Sequence, residues 1–186
     1  MGPEKNFALR RFSPCWLQIQ DWEAGAYYQT LRDRLIALRG KAEGNSTGLL
    51  LGMYIALADA LMSKADLGKQ LYRAYAAGEL EILRRIAHKD ISECVKKLEQ
   101  YRDAREQVWN EESKIFGFEV IDGRMGALLA RMKTASRRLS AYVEGHLDSL
   151  PELEEKRLPF IPAEGDGSAV LVSCNAWTNI VSASPV

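Results

Sequence analysis

The sequence predicts an all-α fold: an antiparallel bundle of about four long helices plus a short helix, with an irregular or short-stranded C-terminal tail. Three observations carry this reading. Apolar residues recur at steps of three and four over long stretches, which places them on one face of a helix. Glycines and small polar residues fall between those stretches, where turns need them. Short apolar runs with an extended look are confined to the last residues.

Residues 1–25 form an irregular N-terminal segment carrying Trp16 and Trp22. Helical periodicity begins near Ala26, with Tyr28, Leu31, Leu35 and Leu38 in step and Gly40 ending the run. The next loop, Glu43-Gly44-Asn45-Ser46-Thr47-Gly48, has the chemistry of a helix-to-helix turn. A second helix is expected from about residue 49 to residue 77, stopped by Gly78. Its seam is Leu50, Met53, Leu57, Ala60, Lys64, Leu67, Leu71 and Ala74.

A third helix starts near Glu79 and is expected to kink at His88-Lys89-Asp90. Asp90 and Glu93 have the spacing of a capping box, so the helix can restart there. It continues through Ile91, Val95, Leu98 and Tyr101 to Trp109. The fourth helix has the clearest seam: Phe118, Ile121, Met125, Leu128, Met132, Ala135, Leu139 and Tyr142, with Arg124 and other charges on the remaining faces. Ser149, Pro151 and Glu152 announce a short helix, with Ser149 as N-cap and Glu152 closing its box. The bundle therefore spans residues 26–158. Residues 159–186, rich in Pro and Gly at first, form an extended tail that packs on the bundle or on another domain, since a lone strand pair is marginal in water.

Composition narrows the function classes. With 25 Lys+Arg against 25 Asp+Glu, the chain has no net charge to attract nucleic acid or an anionic membrane. Residues 49–62 are the longest apolar run, but Asp59 interrupts them. A span needs roughly 20 apolar residues, so this reads as a buried helix and no membrane partner is expected. Three cysteines far apart in sequence (Cys15, Cys94 and Cys174) read as reduced thiols, and the N-terminus lacks the apolar core of a secretory signal. The expected location is cytoplasmic.

No catalytic constellation, cofactor motif or metal-ligand spacing stands out. The histidines, His88 and His146, lie at helix boundaries without a second ligand nearby in sequence. Glu111-Glu112 and Glu154-Glu155 read as solvated surface charge. The phosphate-cradling glycine motifs and the nucleophile elbow are absent. The expectation is no catalytic residue, no cofactor and no metal.

Two features are less bland. Lys64 and Arg105 fall where periodicity expects apolar residues, and buried cations are usually paired. Glu119 and Asp122 are available carboxylates, so Lys64 or Arg105 with one of them, and Arg124 beside them, are the candidates for structural ion pairs. If such a pair is buried, Asp122→Ala should be strongly destabilising; the alternative is that both cations snorkel to water. The second feature is the connection between the third and fourth helices. Such turns are usually small and polar; this one carries Trp109, Ile115 and Phe116 and leads into Phe118. With Trp177 in the tail, these residues make a candidate docking surface.

This connection, Trp109-Asn110-Glu111-Glu112-Ser113-Lys114-Ile115-Phe116-Gly117-Phe118, running on to Asp122-Gly123-Arg124-Met125-Gly126, resembles a stretch of bacterial β-N-acetylhexosaminidases of glycoside hydrolase family 20. Ser63-Lys64-Ala65-Asp66-Leu67-Gly68 with Leu71, Tyr75 and Gly78, then Arg138-Leu139, Tyr142 and residues 150–158, look like flanking helices of its C-terminal domain. Residues 177–184 resemble its last residues. Ile115 stands where the family tends to have Pro, and Gly123 replaces a larger residue. The resemblance covers about residues 27–158 and part of the tail.

The resemblance implies a parent enzyme with an upstream (β/α)8 barrel that removes terminal N-acetylhexosamine by substrate-assisted catalysis. Its acid is a Glu directly preceded by an Asp. This chain has no Asp-Glu dipeptide and no pattern of alternating strands and helices, so those residues match no position here. The implied role is a non-catalytic accessory domain, partnered with the barrel of the same or a companion polypeptide. The alternative is a stand-alone helical interaction protein, with a homodimer as a further possible partner state.

Overall fold

A computed structural model describes residues 23–42 and 45–154. All regular structure among them is helical: α1 (Ala24–Arg39), α2 (Asn45–Lys64), α3 (Leu67–Ala77), α4 (Leu80–Arg85), a π-helical turn (Ile86–Asp90), α5 (Ile91–Glu112), α6 (Phe118–Val143) and the short α7 (Pro151–Glu154). The all-α bundle expected from the sequence is the fold found. The tail expected after residue 158, with Trp177 and Cys174, lies outside the described residues, as do Cys15, Trp16 and Trp22.

The helices pack in a row at one end and as a cluster at the other. α1 lies on α2, α2 on α5, and α5 on α6, while α4 and the π turn also pack on α6. The core sits in the cluster. Leu71, Leu83, Ile86, Ile91, Met132, Leu139 and Leu150 are fully buried there, joined by Ala60 and Cys94. Burying a leucine-sized side chain contributes about 1.5–3 kcal/mol, so this half of the molecule supplies most of the hydrophobic stabilisation.

Three local expectations need correction. The single helix expected over residues 49–77 is two helices, because the chain turns at Ala65 and Asp66. The Asp66 carboxylate accepts a 2.8 Å hydrogen bond from the Gly25 N–H and lies 3.4 Å from Lys69 Nζ, which ties this turn to the start of α1. Gly78 does end α3, in the left-handed conformation at φ +69° that glycine adopts without penalty.

The restart expected at Asp90 is instead a π turn. The Ile91 N–H donates to Ile86 O, five residues back, and Asp90 makes no cap; its carboxylate accepts from Arg85 Nε at 3.1 Å. The wider turn keeps Ile86, Ala87 and Ile91 all inside. Ser136 Oγ on α6 donates to Ala87 O at 2.7 Å, supplying a partner to a carbonyl within the widened turn. Finally, Glu152 closes no capping box. It is buried and accepts both Arg138 Nε and Nη2, at 2.6 and 3.0 Å, a bidentate pair that fastens α7 to α6.

The apolar run at residues 49–62, expected to be a buried helix, is only partly buried: Met53, Ala58 and Ala60 are inside, Tyr54 is exposed and the rest are half-buried. The helical stretch Ser46–Ala77 is long and apolar enough to cross a membrane by length and composition, yet only 17% of its most apolar window is buried. α1 and α5 make the main contacts of α2, and Ala60 joins the core cluster. Asp59, within this run, accepts from Arg32 Nη1 at 3.1 Å and lies 3.4 Å from Lys97 Nζ, so the carboxylate links α1, α2 and α5.

Candidate functional site

The α5–α6 connection is built from its aromatic residues outward. Trp109, in the last turns of α5, donates its indole Nε1–H to Lys114 O at 2.8 Å across the turn. Its ring packs against Phe118 with centroids 5.8 Å apart, and the Arg105 guanidinium sits over its other part, 5.4 Å from the centroid. Gly117 adopts φ +97°, where a side chain would be strained, and a Cβ there would lie 3.4 Å from Trp109 Cζ2. The Gly117 N–H in turn donates to Glu119 Oε2 at 2.8 Å, which leaves the first turn of α6 with a satisfied entry.

The consequence is a folded turn whose apolar tips point outward. Ile115 is 68% exposed and Phe116 is 81% exposed, the most exposed large apolar side chains among the described residues. Phe118 is only 5% exposed, so it belongs to the core beneath the turn and not to the docking surface; its place at the head of the α6 seam explains this. Trp109 is half-buried and braces the turn. Trp177 lies outside the described residues. Gly123, where the resemblance departed from the family, sits exposed within α6, and the helix runs through it unbroken.

The ion pairs expected at Lys64 and Arg105 are absent among the described residues. Asp122 is held by Arg102, with Nε to Oδ1 at 2.8 Å and Nη2 to Oδ2 at 3.1 Å. Those hydrogen bonds keep the Asp122 carboxyl below the usual carboxylate range. Arg102 also reaches Glu106 at 2.7 Å and stacks over Phe118, 5.5 Å from the centroid. The overlooked signal was Arg102 and Glu106 at i,i+4 on one face of α5. Arg105 lies over Trp109, its Nη1 3.9 Å from Met53 Sδ. Arg124 is exposed, and Glu119 serves the turn as described.

Lys64 is half-buried against the core side of α2. Burial pushes its ammonium below the usual lysine range, partly offset by the Cys94 thiol. Cys94 is fully buried, and that burial raises its thiol to about 11. Among the described residues no group of three or more His, Cys, Asp or Glu side chains gathers in a metal-binding arrangement.

Comparison with known proteins adds one match. The family described as Glycoside Hydrolase 20C C-terminal domain matches residues 17–172. The match begins inside the N-terminal segment for which the sequence showed no resemblance, and it extends into the tail. No curated protein matches the chain.

Proposed function

The chain belongs to the family of Glycoside Hydrolase 20C C-terminal domains, and from that premise we propose that it is a non-catalytic accessory domain of a β-N-acetylhexosaminidase, docked on the enzyme's (β/α)8 catalytic barrel. The observation that carries the reading is the 113–117 turn. Trp109 and Glu119 brace it by hydrogen bonds, to Lys114 O and from the Gly117 N–H, while Ile115 and Phe116 stay exposed. An apolar anchor fixed before binding loses little conformational entropy on docking, which is how a few residues come to dominate an interface. The reaction on N-acetylhexosaminides belongs to the barrel, since the Asp-Glu pair that the family resemblance requires has no counterpart in this sequence. A cytoplasmic setting fits the domain, with Cys94 held as a free, buried thiol.

Calorimetric titration of the 186-residue chain with the barrel tests the docking. Phe116→Ser should weaken association about tenfold or more while helix content stays unchanged. Equal affinity of the variant, or release of chromophore from a chromogenic N-acetyl-β-glucosaminide by the chain alone, would contradict the reading.

A further inference from the structure

The last described segment is fastened to the bundle by side chains. α6 ends at Val143, and residues 144–149 turn back without regular structure. Gly145 takes φ +77°, and the His146 and Leu147 N–H groups both donate to Ala141 O, at 2.8 and 3.2 Å. Glu144 and His146, in this link, lie 3.6 Å apart. Beyond the link the chain settles between α3 and α6. Tyr75 on α3 accepts the Leu150 N–H and donates to Glu154, while Arg138 on α6 clamps Glu152 through two hydrogen bonds. Leu150 and Leu153 sink into the buried cluster that holds Leu71 and Leu139. Leu147, Leu150 and Leu153 recur every third residue, with Asp148, Glu152 and Glu154 beside them. The seat reads two chemical features at once: leucines by burial, and carboxylates by a guanidinium and a phenol.

We infer that this seat is a binding site for a short acidic, leucine-bearing segment, filled within one chain by residues 147–154 and open to the same residues of a second copy. The occupant is visible in the structure, and so is its chemistry. Each hydrogen bond named above joins the strap to a side chain of the bundle, so a strap delivered by another copy would remake every one of them. The bidentate clamp of Arg138 on Glu152 supplies geometric specificity as well as attraction. The tether is short but sufficient: the six residues 144–149, drawn out, reach about 20 Å. Exchange of an identical element between copies is a low-cost route to a dimer, because it replaces contacts within a chain by the same contacts between chains.

Charge reversal on the full chain, read by light scattering after size exclusion and by melting midpoints, tests this. R138E sets two carboxylates against each other and E152R two guanidinium groups, so each variant alone should lose its clasp and melt below the wild type. R138E/E152R, with the pair reversed inside one chain, should recover most of that loss; no recovery would show that the pair is not the latch and would overturn the site. A 1:1 mixture of the two single variants should form a heterodimer with a raised midpoint, because each strap then meets a seat of opposite charge. A labelled peptide of residues 147–154 is the second probe. By fluorescence anisotropy it should bind E152R about tenfold or more tightly than R138E, since only the former keeps the arginine of the seat. A peptide that fails to distinguish the variants, or an E152R chain that stays unfolded when the peptide is added, would overturn the site. A mixture that stays monomeric and melts as the average of its parts would overturn the second copy as its occupant. The barrel enters none of these measurements, so the accessory-domain reading stands or falls separately.

Discussion

The two parts of this bundle, residues 24–64 and residues 67–154, are both helical and are held together very differently. In residues 67–154 the apolar seams of α3, α4, α5 and α6 meet one another, and Leu71, Leu83, Ile86, Ile91 and Leu139 are wholly buried. In residues 24–64 α1 packs on α2 and α2 mainly on α5, and most of their apolar side chains stay partly open. Periodicity alone does not separate these cases, because it reports which residues share a face and not whether a partner covers that face. The difference teaches which part of this domain draws its stability from a closed core and which part does not.

The sharpest way to break the comparison is to remove equal side chains from the two halves. Leu139→Ala, at a fully buried position of α6, should destabilise the chain by about 3 kcal/mol in denaturant titration, since the cavity is walled by packed neighbours. Leu38→Ala, at a half-exposed position of α1, should change stability by no more than about 0.5 kcal/mol. Comparable losses at the two sites would show that the hairpin is part of a single continuous core.

Next in size is the clasp on α7. The Glu152 side chain is 3% exposed and Arg138 keeps 25%, so Glu152→Ala leaves a guanidinium stranded but within reach of water. The expected loss is about 2 kcal/mol by thermal unfolding, below the cost of stranding a fully buried charge. Gly117→Ala should cost about 1 kcal/mol through its positive φ, and its larger effect should be on docking, because it disturbs the turn beneath Phe116. Lys64→Met should stabilise by about 1 kcal/mol or less by removing the burial penalty on the ammonium. Asp122→Ala should scarcely move the melting midpoint, as Asp122 and Arg102 are both partly exposed.

The core half also has an alkaline limit. Tyr75 donates its hydroxyl to Glu154 Oε1 at 2.7 Å and accepts the Leu150 N–H at 2.9 Å, and burial pushes its phenol to about 12. Cys94 is raised to about 11 by burial. Both folded values lie above the unfolded ones, so the stability these groups contribute is complete below about pH 9 and is lost as pH rises through 11 and 12. Melting midpoints measured from pH 8 upward should fall across that window, and Tyr75→Phe should flatten the upper part of the fall. At pH 8 a maleimide should label Cys94 only after denaturant is added, read by peptide mass mapping.

Much of the architecture was legible because it rests on local rules. The α6 seam announced its helix to within one residue, and Gly40 and Gly78 marked two helix ends. The aromatic α5–α6 connection stood out because its composition contradicts that of an ordinary turn. What escaped depends on contacts between distant residues. The break at Ala65 and Asp66 is tied to the Gly25 N–H, 41 residues away in sequence. The choice of Arg102 over Arg105 by Asp122 depends on how α5 and α6 face each other. The partial burial of α2, expected to be buried, depends on how its neighbours pack, which no local pattern reveals.

Hydrogen exchange followed by mass spectrometry tests the central claim most directly: that residues 24–64 form the less well buried part of the bundle. The account predicts that amides of α1 and α2 exchange well before those of α5 and α6. Equal protection of the two parts would contradict it.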